Sequence, residues 1–475
     1  MSLYKPPRSL SRQFRLILVS FLQQPGLPFA NALTEDTIAA AFDDDGASFA
    51  QDEEAAVFTP AITLWAFLSQ VLFKDEHRSC VAAVARVAVL LTALARNPCS
   101  SNTGAYCRAR GKLSEKALRQ ITTCVSDSCE DRLGDHQLWH GHHVRLVDGT
   151  TVSMPDTPEN QGAYPQNSQQ KAGLGFPIAR VVMLLSLATG MVTGMAMGPY
   201  AGKQTGESAL LRSLLERFNP GDVMLADRYY CSYFMIALLR ERGVELVARL
   251  HQCRLVDFRC GRRLGKDDHI VTWFRPQRPA WMDKSTYDRM PASLEVRQVR
   301  VYVDQPGFRV DSFVVVTTLQ DTREYPKNEI ADLYNYRWHA ELDIRAIKIT
   351  MGMDILRCKT PAMVRKEMWT CLLAYNLIRQ AMLQSSQAAG VSPRTLSFTA
   401  ALQMIVASWI VIVSGNDKLA SRLIEVALTG MTSHLVGHRP GRVEPRAVKR
   451  RPKEQALLTK PRSEAKAELL KGKSM

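Results

Sequence analysis

The chain has 475 residues, which is too long for one ordinary hydrophobic core, so we expect two or three domains. Its 46% hydrophobic and 23% charged residues exclude a disordered chain and are typical of a soluble globular protein. The net charge of +15, with a sequence pI near 9.4, indicates a polyanionic partner, for which nucleic acid is the first candidate and a membrane surface the second.

The cysteines and the N-terminus bear on the compartment. Ten cysteines without a CxxC pair indicate free thiols in a reducing cytoplasm. The N-terminus resembles a secretion signal, because Arg12 and Arg15 precede an apolar run, but this run is short and the cysteine usage argues against export. Thr-Gly turn signals divide the uncharged stretch 181–197. We therefore expect a cytoplasmic protein that does not enter a membrane.

Residues 1–135 alternate amphipathic patterns with polar breaks and predict an N-terminal helical domain. The helices are expected at 11–23, 63–94 (one or two helices) and 112–124. The last of them carries Lys112, Lys116 and Arg119, which could face phosphate. A DNA-reading domain and an oligomerisation bundle both fit this pattern.

From His142 the pattern changes to strands joined by helices. Strands are expected at 144–147, 178–187, 192–197, 222–226 and 244–250, with helices at 206–218 and 232–242. This order predicts an α/β fold with a mixed sheet flanked by helices, in a domain that we place at 140–390. Residues 251–322 carry prolines and alternating strands, and predict a β-rich insertion that contains Trp273 and Trp281.

The C-terminal part is expected to be helical and then strongly basic. Apolar helices are expected at 364–387 and 397–413, with C-terminal helices assigned to 391–438. The tail 439–475 has twelve Lys/Arg and four Glu, a net of +8 out of the total of +15. Such a tail supports nucleic-acid binding, although basic tails are also often merely solubilising.

Four histidines cluster at 136, 140, 142 and 143 and raise the possibility of a metal site. No cysteine or carboxylate stands at a matching ligand spacing, so the pattern favours a solvated loop.

Two aspartates follow apolar strands at the edge where sites of α/β folds assemble. Asp148 follows the strand 144–147, and Asp227 follows the strand 222–226. Carboxylates in this position project from the carboxyl edge of the sheet. Each aspartate taken alone could also cap a turn.

The stretch 327–353 predicts one long helix with four notable residues, Tyr334, Arg337, Glu341 and Lys348. At about 100° per residue these four share an arc of about 60°. On a single charged helix this pattern is often a solvated salt-bridge stripe.

Together with Asp148 and Asp227, however, Glu341 would complete a trio of carboxylates, which needs a hard cation. Such a trio can hold two Mg²⁺ ions for an in-line phosphoryl transfer. Arg337 and Lys348 would then contact DNA phosphates, and Tyr334 would hydrogen-bond one.

These residues carry a family resemblance. Tyr334-x2-Arg337-x3-Glu341-x6-Lys348 matches the YREK signature of the DDE-type insertion-sequence transposases of the family numbered four. Asp148-Gly-Thr and Asp227-Arg resemble the other two acidic motifs of that family. Asp227 follows Asp148 by 79 residues, and Glu341 follows Asp227 by 114 residues. The resemblance covers most of the chain, including the β-rich insertion before the glutamate.

The resemblance implies a ribonuclease-H-like catalytic core in which Asp148, Asp227 and Glu341 bind two Mg²⁺ (or Mn²⁺) ions. It also implies a bacterial, cytoplasmic enzyme that associates with the nucleoid when it binds DNA. Its partners would be double-stranded DNA, as terminal inverted repeats and target, and a second copy of the chain in a homodimer. Excision would pass through a hairpin intermediate, with an aromatic residue stacked on a flipped base. Trp273 or Trp281 could be this aromatic residue, although a core tryptophan is the simpler interpretation of each.

Three functions therefore remain open. The first is a cut-and-paste transposase with Asp148, Asp227 and Glu341 as its catalytic residues. The second is a transposase-derived DNA-binding protein without catalysis. The third is a metal-dependent nuclease that cleaves DNA without joining ends.

Overall fold

The computed structural model describes residues 8–43, 57–303, 311–436 and 459–471. Its strands are β1 (Val144–Ser153), β2 (Ile178–Ser186), β3 (Val192–Pro199), β4 (Val223–Ala226), β5 (Glu245–Arg249), β6 (Arg262–Gly265), β7 (Asp268–Phe274), β8 (Ser293–Tyr302) and β9 (Ser312–Thr317). Its helices are α1 (Arg8–Gln13), α2 (Arg15–Ser20), α3 (Glu35–Asp43), α4 (Pro60–Leu72), α5 (Cys80–Ala93), α6 (Gly104–Lys112), α7 (Glu115–Glu130), α8 (Pro158–Ala163), α9 (Glu207–Arg212), α10 (Tyr233–Glu241), α11 (Lys284–Arg289), α12 (Lys327–Asn335), α13 (Trp338–Arg345), α14 (Pro361–Ala389), α15 (Phe398–Ser408), α16 (Val411–Ser414), α17 (Asp417–Thr432) and α18 (Arg462–Lys471).

The strands form one mixed sheet in the order β3-β2-β1-β4-β5-β9-β8-β7-β6. The central strands β1, β4 and β5 are parallel, whereas β9, β8, β7 and β6 each pair antiparallel with their neighbours. The mixed α/β fold expected from the sequence is therefore confirmed. Strands β6 to β9 come from the region 251–322 and extend the same sheet beyond β5.

The chain divides into two units by its internal contacts. The first comprises Met1–Gly141, Leu185–Gly194 and Glu341–Gly437. The second comprises His142–Leu184, Met195–Ala340 and His438–Met475. The domain limits expected from the sequence, 1–135, 140–390 and 391–438, remain predictions. Most of the basic tail 439–475 lies outside the described residues, which include α18.

The first unit is organised around α14, against which α4, α7, α15 and α17 pack. Every residue of α14 from Glu367 to Ser386 is buried. A helix buried on all sides must satisfy its polar side chains internally. Asn376 does so by donating to the carbonyls of Thr122 and Val192. Pro361 in the first turn starts the helix, since its ring fixes a helical φ where no N–H bond is needed.

The second unit has its core on the parallel strands. Met224 and Ala226 of β4 and Leu246 and Ala248 of β5 are fully buried and pack with α10 residues such as Ile236. Continuous apolar runs of this kind are typical of strands covered on both faces. None of the helices in the described part of the chain is long and apolar enough to cross a membrane.

The prediction of one long helix at 327–353 is wrong. These residues form two helices, α12 and α13, followed by a π-helical segment, Ala346–Thr350. A turn at Tyr336 and Arg337 separates them, where both backbone N–H groups bond to the carbonyl three residues earlier. Because such turns advance by about 120° per residue and not 100°, the common arc calculated for a straight α-helix does not apply.

Candidate active site

Asp148 and Asp227 lie side by side in the second unit. Strands β1 and β4 are parallel and pair Val147 with Ala226, so each aspartate is the next residue after that pair. Neighbouring strands are about 4.8 Å apart. Asp148 accepts a hydrogen bond from the Gly149 N–H at 2.8 Å, and Asp227 accepts one from the Tyr229 N–H at 2.7 Å.

The position of Asp148 differs from the sequence expectation in one respect. β1 continues to Ser153, so Asp148 lies within the strand and not at its end. Pairing with β4 nevertheless stops at Val147, because β4 itself ends at Ala226. The Asp148 carboxylate therefore lies next to the point where β4 ends, and its side chain is 22% exposed. Asp227 does follow its strand, as expected, and caps the short turn Arg228–Tyr230.

Arg337 and Tyr334 accompany this pair in the same unit. Nη1 of Arg337 is 3.9 Å from Oδ2 of Asp148. Burial raises the pKa of Tyr334, and it outweighs the opposing charges of Arg337 and Arg249. The Tyr334 phenol therefore remains a protonated hydrogen-bond donor at neutral pH.

Two further residues at this edge were missed by sequence reasoning. The hydroxyl of Tyr230, 1% exposed, donates to Oε2 of Glu207 at 3.2 Å. Burial raises the pKa of Tyr230, and the charges of Glu207, Asp148 and Asp227 raise it further. Tyr230 could have been noticed in the run after Asp227, whereas Glu207 carries no sequence signal.

Glu207 also explains the glycine after Asp148. A Cβ built on Gly149 would overlap the side-chain carboxyl of Glu207. Any other residue at this position would have to displace the end of the Glu207 side chain and disturb its hydrogen bond from Tyr230, so this close approach favours glycine after Asp148.

Glu341 and Lys348 belong to the first unit. Glu341 is half-buried in the first turn of α13, where a carboxylate is favoured by the helix dipole. Lys348 is half-buried in the π-helical segment. Burial lowers the pKa of its ammonium group, and the charge of Asp354 opposes this shift. The charge of Lys348 is thus held in a partly desolvated position.

The two tryptophans proposed to stack on a base lie against the core of the second unit. Trp273 is 6% exposed, with the Arg254 guanidinium 3.6 Å from its ring centre. Trp281 is partly buried, with the Arg212 guanidinium 3.8 Å from its ring centre. The core interpretation fits Trp273, and base stacking by either tryptophan remains a prediction.

The histidine cluster has a structural explanation in part. His142 hydrogen-bonds the carbonyl of Gly221 at 2.7 Å and the hydroxyl of Tyr325 at 2.8 Å. Within the described residues, no group of three or more His, Cys, Asp or Glu side chains is arranged to hold a metal ion.

Comparison with known proteins gives a match to a family model, to curated relatives and to solved structures. Residues 139–377 match the family described as Transposase DDE domain. The chain is 28% identical over 360 residues to the transposase InsG for insertion sequence element IS4 of Escherichia coli strain K12, a match that covers 73% of this chain and 76% of that protein. A cryo-EM structure of a piggyBac transposase synaptic complex with hairpin DNA overlaps with a TM-score of 0.43 at 10% identity, over 93% of this chain and 90% of that one, which is too weak an overlap to support a conclusion.

Proposed function

Because this chain belongs to the DDE transposases of the insertion-sequence family numbered four, we propose that it moves an insertion sequence by a cut-and-paste, two-metal mechanism. A DNA transposase cleaves DNA and joins the cleaved strand to a target. The observation that best supports the mechanism is the position of Asp148 and Asp227, each directly after the paired residues Val147 and Ala226 of two adjacent parallel strands, with Arg337 beside Asp148.

We propose that Asp148, Asp227 and Glu341 are the catalytic carboxylates and hold two Mg²⁺ or Mn²⁺ ions. Asp148 and Asp227 fit this role, because both offer carboxylate oxygens, which hard cations prefer, at one edge of the sheet. Each already has one oxygen oriented by a backbone N–H. When bound, the ions would activate the attacking oxygen and neutralise the leaving oxygen of the displacement at phosphorus.

The basic and phenolic members of the signature are proposed to hold DNA phosphates. Arg337 would present its planar fork of N–H donors to phosphate oxygens. Tyr334, whose phenol stays protonated, would donate a hydrogen bond to a neighbouring phosphate. Lys348 would add a positive charge, and its partly desolvated position would strengthen that attraction.

The remaining parts of the proposal come from the family. The substrates are double-stranded terminal inverted repeats and target DNA, and the active form is a homodimer in which each subunit cleaves the opposite DNA end. Excision passes through a hairpin intermediate, with Trp273 or Trp281 stacked on a flipped base. The sheet has a ribonuclease-H-like arrangement, for which the parallel strands β1, β4 and β5 are the support. The enzyme would act in the bacterial cytoplasm, on the nucleoid.

The proposal is tested with a supercoiled donor plasmid that carries the inverted repeats flanking the gene. Purified protein, donor and target DNA are incubated with Mg²⁺ or Mn²⁺, and the products are separated on denaturing gels. Asp148→Asn and Glu341→Gln are compared with Glu216→Gln, a control glutamate that is 84% exposed. We expect nicked, hairpin-ended and joined products from the parent and the control only.

Other outcomes would favour the remaining functions. DNA binding without any metal-dependent nick would indicate a DNA-binding protein without catalysis. Cleaved ends that are never joined would indicate a nuclease. Full activity of Asp148→Asn and Glu341→Gln would show that the carboxylates are wrongly assigned.

A further inference from the structure

Asp343 is a completely buried carboxylate two residues after Glu341 on α13. Its two oxygens accept hydrogen bonds from two different arginines. Nη2 of Arg379, from the middle of α14, is 2.5 Å from Oδ1, and Nη1 of Arg394 is 2.6 Å from Oδ2. A buried carboxylate is tolerated when it is paired and fully hydrogen-bonded, and here both conditions are met.

Arg394 is itself fixed to the backbone. It lies in the short 3-10 turn Pro393–Thr395. Its Nε donates to the carbonyl of Leu187 at 2.8 Å, and its Nη2 donates to the carbonyl of Ser186 at 2.5 Å. The guanidinium therefore spans from Asp343 to the last residue of β2 and the residue after it, with its donors directed to fixed acceptors.

Arg379 is held in a comparable way. Its Nε donates to the hydroxyl of Tyr375 at 2.9 Å, and that hydroxyl donates to the carbonyl of Gly190 at 2.9 Å. Gly190 has a φ of 77°, and a Cβ on it would lie 2.9 Å from the guanidinium carbon of Arg379. A glycine here permits both the turn and the close approach of Arg379.

This network fixes the rotation of α13 about its axis. Two residues along an α-helix correspond to about 200°, so Asp343 and Glu341 project from nearly opposite sides. The two arginines hold Asp343 on the buried side of α13. Glu341 therefore projects from the opposite side of the helix, where it is half-exposed. A rotation of α13 would break the bonds to both arginines before it could reorient Glu341.

We infer that Asp343 is a positioning residue: through Arg379 and Arg394 it sets the orientation of Glu341 for divalent-cation binding. The inference rests on the proposed function, in which Glu341 binds the metal. A displacement of about 1 Å at a catalytic group can cost about a hundredfold in rate, so a rigid anchor for this short helix has a direct consequence for catalysis. No part of the YREK signature includes Asp343, Arg379 or Arg394.

The test measures metal binding separately from activity. Bound Mn²⁺ is followed by electron paramagnetic resonance on the complex with inverted-repeat DNA, alongside single-turnover cleavage, DNA binding without metal, and thermal unfolding. The variants are Asp343→Asn and Arg394→Lys, and the second keeps the positive charge in case the first does not fold. Glu341→Gln reports on the proposed function, and Asp268→Asn is the matched control, since Asp268 is paired with fully buried Arg297 at 2.7 Å.

We expect Asp343→Asn and Arg394→Lys to bind DNA like the parent without metal. Their half-saturating Mn²⁺ concentration should rise about 10–100-fold, the range found for residues that orient metal ligands. Asp268→Asn should lower the unfolding temperature and leave Mn²⁺ binding unchanged.

The inference is overturned if folded Asp343→Asn or Arg394→Lys protein binds Mn²⁺ and cleaves like the parent while Glu341→Gln does neither. It is equally overturned if Asp268→Asn weakens Mn²⁺ binding as much as Asp343→Asn, because any lost buried ion pair would then suffice. If Glu341→Gln keeps both properties, the proposed function itself fails.

Discussion

The guanidinium of Arg337 lies 3.9 Å from the carboxylate of Asp148, and the two side chains are 20% and 22% exposed. At this separation the arginine partly neutralises the aspartate in the protein without metal. The same positive charge is available to a DNA phosphate, so Arg337 has two anionic partners in the proposed mechanism.

We expect Arg337→Ala to weaken DNA binding and to slow cleavage, without weakening Mn²⁺ binding to the protein. Removal of a cation beside Asp148 lowers the repulsion that a divalent ion would meet there. The slope of log binding constant against log salt concentration should fall by about one unit, as expected for one lost phosphate contact. Fluorescence anisotropy with inverted-repeat DNA at several salt concentrations measures this slope. An unchanged slope would remove Arg337 from the phosphate contacts.

Gly149→Ala should destabilise the protein because its Cβ overlaps the Glu207 carboxyl. Because the atoms that the new Cβ meets are the far end of a flexible side chain, which can move aside, we expect a cost near or below the lower end of the about 1–3 kcal/mol that is typical of overpacking. In urea unfolding we expect the double variant Gly149→Ala, Glu207→Ala to recover part of the lost free energy, since the overlap is gone. A double variant whose loss equals the sum of the two single losses would show that Glu207 and residue 149 are independent.

The stability contribution of Lys348 depends on pH. Burial lowers the pKa of Lys348 in the folded state, below the ordinary lysine value of about 10.4. Between these two pKa values the unfolded state binds more protons, so the parent gains stability as pH rises through this window. Below this pH window Lys348 is charged in both states, so the full free-energy cost of burying its ammonium group destabilises the folded state.

Lys348→Met should therefore be more stable than the parent at pH 7, with a difference that shrinks as pH approaches the ordinary lysine pKa. Urea unfolding of both proteins at a series of pH values tests this. Parallel stability curves for the two proteins would contradict the assigned pKa shift. Because Lys348 is proposed to hold a phosphate, the variant should bind DNA more weakly despite its greater stability.

Trp273→Ala should lower the free energy of unfolding by about 3–5 kcal/mol, as is typical when a buried aromatic residue leaves a cavity. Trp281→Ala should cost less, because Trp281 is only partly buried. If Trp281 is the residue that stacks on the flipped base, its alanine variant should nick DNA normally and form fewer hairpins. A 2-aminopurine base at the flipped position reports the stacking directly, and an unchanged signal in Trp281→Ala would exclude that role.

The two aspartates could be found from the sequence because their signal is local. The apolar runs before Asp148 and Asp227 are long enough to predict strands, and a parallel pair of strands necessarily brings their ends together. The β-rich region was equally visible in its alternation. The sequence did not show that this region joins the main sheet, because the pairing between β5 and β9 depends on contacts between residues distant in sequence.

The break after α12 could not be predicted from the sequence pattern. Tyr336 and Arg337 are acceptable helix residues, and neither glycine nor proline marks the turn. Asp343 likewise looked like an ordinary charged helix residue until Arg379 and Arg394 were seen to enclose it, 36 and 51 residues later. Glu207 had no signal, because its link with Tyr230 depends on tertiary structure alone.

The most direct test of the central claim is single-turnover cleavage of inverted-repeat DNA by Asp227→Asn and Glu341→Gln, each first shown to fold and to bind that DNA without metal. With saturating Mg²⁺, we expect the parent to cleave and both variants to fall to the rate seen without protein. Cleavage by either variant at the parent's rate would contradict the assignment of Asp148, Asp227 and Glu341 as the catalytic carboxylates.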